Sequence, residues 1–110
     1  MSRRAHVLKT YKVEYGESAF PNRQDAVYQF LNNQTRTLPN LILYSDDSVM
    51  ELNPIDLQVV VDGLRSGKLD KEVDVCSYEG WATSKELADI FESWLRTYDK
   101  SNSFLRVEWW

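Results

Sequence analysis

The side chains that could carry out chemistry are few. His6 is the single histidine and Cys76 the single cysteine among 110 residues. Nucleophilic catalysis needs a nucleophile, a base and a group that orients the base. His6 stands near the chain start, in a segment that reads as a strand, so it is expected at an edge or on the surface, and no second imidazole can serve a histidine-based triad. One His and one Cys cannot build a zinc cluster. Cys76 has no second thiol for an internal disulfide, which excludes a disulfide scaffold. With no histidine beside it and no basic cluster to lower its pKa, it reads as an inert structural thiol on a strand. The four glycines, at positions 16, 63, 67 and 80, form neither a Walker loop nor a dinucleotide fingerprint. No cofactor and no metal are expected.

Carboxylates are the remaining candidates. Asp70, Glu72 and Asp74 recur at a spacing of two, which in a strand places them on one face, expected to be the solvent face. General acid–base work by this set is the enzymatic reading. Asp46, Asp47 and Glu51 could supply oxygen ligands, but the calcium-loop pattern D-x-[DN]-x-[DN]-G is missing, and Ser45 to Ser48 reads as a polar turn.

The net charge is −4 and is unevenly distributed. Residues 1–45 hold six Lys/Arg against three Asp/Glu, and residues 46–110 hold seven against fourteen. An acidic chain does not bind phosphate backbones by default; it suits a basic partner, whose approach the carboxylates steer. The chain ends in Glu108-Trp109-Trp110. In a strand the two indoles point to opposite faces, so one is expected to stay exposed, and exposed Trp is a favoured interface anchor.

These residues must be positioned by a single domain spanning 1–110, with residues 1–5 frayed. Alternation from His6 to Tyr15 predicts a half-buried strand. Asn22 is placed to cap a helix that runs to about Gln34, with Ala26, Val27, Phe30 and Leu31 at helical spacing. Leu41 to Tyr44 and Val49 to Leu52 read as paired strands. Asn53-Pro54 opens a second helix with Leu57, Val60, Val61 and Leu64 on one stripe, stopped by Gly67. Glu72 to Tyr78 alternates again and predicts a strand. Thr83 and Glu86 have capping-box spacing, and Leu87, Ile90, Phe91, Trp94, Leu95 and Tyr98 make the longest amphipathic helix. Phe104 to Trp109 reads as the last strand. The predicted class is α+β: a mixed or antiparallel sheet of about five strands with three helices, ordered β-α-β-β-α-β-α-β. Its first six elements match the ferredoxin-like βαββαβ order. Arg3-Arg4 is followed by no apolar stretch of about 7–15 residues, and no run reaches the about 20 needed to span a bilayer. A cytoplasmic location without membrane contact is expected.

The function expected from this inventory is that of a small acidic, non-catalytic protein-binding protein. An inhibitor or immunity-type protein, occluding a basic surface of its partner, has this size and charge. Its candidate partner-binding residues are Asp46, Asp47, Glu51, Asp70, Glu72, Trp109 and Trp110. The alternative is a nucleic-acid-binding module in the basic first half, with Tyr11, Tyr15 and Tyr44 stacking bases beside Lys9, Lys12, Arg3 and Arg4. No segment approaches the RNP1 pattern. No motif in the sequence marks a family.

Overall fold

The computed structural model describes residues 5–10, 13–14, 24–76 and 83–109, with side chains described over 27–74 and 83–109. The elements are β1 (Ala5–Thr10), β2 (Val13–Glu14), α1 (Gln24–Gln34), β3 (Ile42–Ser45), β4 (Val49–Leu52), α2 (Pro54–Arg65), α3 (Asp70–Cys76), α4 (Ser84–Thr97) and β5 (Leu105–Trp109). The class is α+β. The strands run in the order β2-β1-β5-β4-β3, and every described pairing is antiparallel. In the β3-β4-β5 part, side chains are described on every strand.

Parity along these strands divides the sheet into two faces. Met50 pairs with Val107 and Leu52 with Leu105; these four, with Trp109, are buried. The alternate positions put Glu51 opposite Arg106 and Val49 opposite Glu108. The helices cover the first face. On α2, Leu57, Val60, Val61 and Leu64 are buried at the spacing of one helical stripe. On α4, Leu87, Ala88, Phe91 and Trp94 do the same. Phe91 lies between Phe30 and Trp94, with ring centroids 6.2 Å and 5.1 Å away.

The helix ends follow from local chemistry. Asn53 Oδ1 accepts the backbone N–H of Ile55 at 3.0 Å, and Pro54 takes the first turn, where no N–H is needed. The Thr83–Glu86 capping box closes in both directions at 3.1 Å. Gly67, at φ +84°, ends α2 in the left-handed region that glycine enters without steric cost.

Three expectations are corrected. The described part of the run expected to be a strand over 72–78 belongs to the helix Asp70–Cys76, so the described residues hold four helices where three were expected. Alternating Val73 and Val75 suit a strand, but Leu69 and Val73 also stand at i and i+4, and a short apolar run does not settle its own period. Val73 is buried and its N–H donates to Leu69 O at 3.0 Å, which is the helical pattern. The single strand expected over 6–15 is represented by two short antiparallel strands, β1 and β2. The five observed strands are therefore not the five expected, and the ferredoxin-like order gives way to β-β-α-β-β-α-α-α-β, with β5 inserted between β1 and β4. The helix cap expected at Asn22 and the expectations for residues 1–4, 15–16 and 77–80 lie outside the described residues.

Candidate functional site

Glu51 and the turn residues Asp46 and Asp47 come together on the β3–β4 hairpin, while Asp70 and Glu72 stand apart on α3. The seven candidates therefore form no single patch.

Asp46 organises the hairpin turn. Its Oδ1 accepts the backbone N–H groups of Ser48 and Val49, each at 2.9 Å, and its Oδ2 accepts the Tyr44 hydroxyl at 2.8 Å. Asp46 N also donates to Val49 O at 2.9 Å. Hydrogen bonds to the charged form favour it, and the Ser48 N–H, followed by the Tyr44 hydroxyl, holds the Asp46 carboxyl below the usual carboxylate range. The same bond, with the neighbouring negative charge, pushes the Tyr44 phenol above its usual value. Asp46 is thus a turn residue as well as a surface charge. Asp47 is exposed at the turn tip.

Glu51 looks outward from β4 and pairs with Arg106 on β5 at 2.6 Å. Arg106 also lies 3.8 Å from Glu108. One guanidinium thus serves two carboxylates, and part of the acidic surface expected to meet a partner is neutralised within the sheet.

The residues that sequence reasoning missed as a surface pair are Leu43 and Tyr44, each 50 % exposed on the edge strand β3. The register of β3 against β4 shifts between Ile42 and Tyr44, which interrupts the alternation that would have hidden one of the two. The sequence signal was the Tyr44-Ser45-Asp46 spacing, which brings the phenol to the turn carboxylate.

The remaining candidates behave differently. Asp70 Oδ1 accepts the Ser84 hydroxyl at 2.6 Å, linking α3 to the start of α4. Glu72 is half-buried and accepts Gln34 Nε2 at 3.3 Å. In a helix, residues two apart point about 200° apart, so Asp70 and Glu72 do not share the face expected of a strand. Trp109 is 3 % exposed and belongs to the core, so its ring does not anchor a surface. Trp110 lies outside the described residues, as do Tyr11, Tyr15, Arg3, Arg4 and Lys12. The Lys9 and Cys76 side chains are likewise not described; the Cys76 backbone belongs to α3, not to the expected strand. His6 pairs through its backbone with Glu108 on β5.

Among the described residues, no three His, Cys, Asp or Glu side chains are grouped to hold a metal ion, and no helix is long and apolar enough to cross a membrane. A scan of family models finds no match to this chain, and neither the curated proteins nor the solved structures contain one.

Proposed function

We propose that this chain is a cytoplasmic, non-catalytic binding protein of the inhibitor or immunity type, engaging a basic surface of another protein through the outer side of the β3–β4 hairpin. The observation that carries this reading is the exposed Leu43–Tyr44 pair beside Asp46 and Asp47. Tyrosine is over-represented among interface hot spots. The bond to Asp46 holds the Tyr44 ring in place before a partner arrives, which reduces the ordering cost of association. The carboxylates accelerate encounter with a basic surface and disfavour an acidic one. The register shift in β3 makes this edge a poor template for an added strand, so the contact is made by side chains.

The hydrogen bonds around Asp46 and Asp89 suit neither of these two as a general acid. Asp46 and Asp89 are both pushed below the usual range by hydrogen bonds to their charged forms, Asp89 first by the Arg65 guanidinium. A general acid near neutral pH needs the opposite shift.

The test begins with capture from native host extract by the full chain, comparing the parent protein with Leu43→Ser/Tyr44→Ala and with Asp47→Lys. The captured protein is then purified and its association followed at low and high salt. The expected result is a partner whose on-rate falls with salt and with Asp47→Lys, and whose affinity drops by about tenfold or more for the double variant. Unchanged binding by the double variant contradicts the assignment.

A further inference from the structure

Tyr44 is half exposed, and its hydroxyl donates to Asp46 Oδ2 at 2.8 Å. Asp46 is itself fixed, because its Oδ1 accepts the Ser48 and Val49 N–H groups at 2.9 Å each. The ring is therefore tied at its far end to the turn. A phenol that donates to a carboxylate gains electron density on its ring, since hydrogen-bonded groups polarise one another. The negative face of an aromatic ring attracts a cation, and does so more strongly as that density rises.

Among the described residues, the cation held over a tyrosine ring is Lys100, whose Nζ lies 3.9 Å from the centroid of Tyr98; Tyr44 carries none. Arg106 is near enough for its charge to act on Tyr44, but its guanidinium is engaged by Glu51 at 2.6 Å. The turn adds negative charge to the exposed ring, with Asp46 and Asp47 at successive exposed positions. A cation that stacks flat on a ring while bonding to carboxylates is a guanidinium. Its planar, weakly hydrated fork does both at once, whereas an ammonium is a compact, strongly hydrated point charge.

We propose that the Tyr44 ring, held by Asp46, receives an arginine of the partner protein, so that the hairpin selects arginine over lysine on a basic surface. The guanidinium lies over the ring, and Asp46 and Asp47 supply the opposing charge. This rests on the reading of the hairpin as the partner-binding surface and adds to it the side chain that the surface recognises.

Two peptides of equal length and charge test the proposal, one alternating Gly-Arg and the other Gly-Lys. The isotopically labelled full chain is titrated with each at low ionic strength while backbone amide shifts are followed. Both peptides are expected to give saturable shifts at Tyr44, Asp46, Asp47 and Ser48, with the arginine peptide bound about threefold or more tightly. Tyr44→Leu keeps an apolar side chain but has no π face, and it should bring the arginine peptide down to the affinity of the lysine peptide. The Ser48 and Val49 amides, which bond to Asp46 and not to Tyr44, report whether the turn survives in that variant. Equal affinity for the two peptides, or an arginine preference that persists in Tyr44→Leu, overturns selection by Tyr44 while leaving the hairpin as a partner surface intact. Absence of hairpin shifts with either peptide also overturns it, and the partner surface is then judged by the capture experiment with Leu43→Ser/Tyr44→Ala alone.

Discussion

The two faces of the β3–β4–β5 sheet are made by the same strands yet do opposite work. Inward, Met50, Leu52, Leu105, Val107 and Trp109 are almost fully removed from water. Outward, Glu51, Arg106 and Glu108 form a charged row, and Leu43 and Tyr44 stay half exposed at its edge. Burial of apolar area drives folding in proportion to the area covered, so the inner row carries stability. The outer row is free to be selected for contact. An aromatic residue's role thus depends on its place in the sheet: Trp109, on the inner row of β5, is core, whereas Tyr44, closing the apolar run 41–44 beyond the register shift of β3, is surface.

The sharpest way to break this division is to truncate one side chain buried under the helix layer and one exposed on the edge strand. Trp94 is 1 % exposed and packs against Phe91. Trp94→Ala should cost about 3–5 kcal/mol in denaturant unfolding, while Leu43→Ser should stay within about 0.5 kcal/mol, the range of ordinary surface changes. A comparable loss from both variants would remove the distinction between the faces.

A smaller effect probes how the helix layer is anchored over the inner face. Asn53→Ala removes the cap that receives the Ile55 N–H and should lower stability by about 1 kcal/mol, with Asn53→Asp largely restoring it. On the outer face, a double-mutant cycle on Glu51 and Arg106 should return about 0.2–1 kcal/mol of coupling that diminishes with salt, because the pair is partly exposed.

How much of this was legible beforehand divides along the same line. The α2 and α4 stripes were readable because caps and 3.6-residue periodicity agree at Asn53-Pro54 and at Thr83–Glu86. The α3 segment was not, because Val73 and Val75 satisfy a period of two while Leu69 and Val73 satisfy a helix; packing against α1 is not written in the local pattern. The place of β5 between β1 and β4 is likewise a long-range choice. Within the candidate surface, Asp46, Asp47 and Glu51 could be named from charge alone. The register shift that exposes Leu43 beside Tyr44, and the claim of Arg106 on Glu51, depend on neighbouring strands and left no sequence motif.

The smallest expected effect is in titration. The Asp46 carboxyl lies below its usual range in the folded protein, so its contribution to the turn is complete above the unfolded pKa and is lost as pH falls through the lower folded value. A pH series of Asp46 side-chain shifts should give a midpoint below the usual value near 3.8, and Tyr44→Phe should move it upward. An unchanged midpoint would show that the phenol is not held by the turn. Charge reversal at Asp46 should disturb the turn as well as the charge, which makes Asp47 the better position for testing steering.

The division of labour between the faces is tested most directly by placing a photo-crosslinking amino acid at position 43, and in a separate protein at the exposed Lys85 on α4, and irradiating each in the native host. A discrete protein adduct formed from position 43 and not from position 85 is the predicted result. No adduct at position 43, or the same adducts from both positions, would contradict a binding role for the outer face.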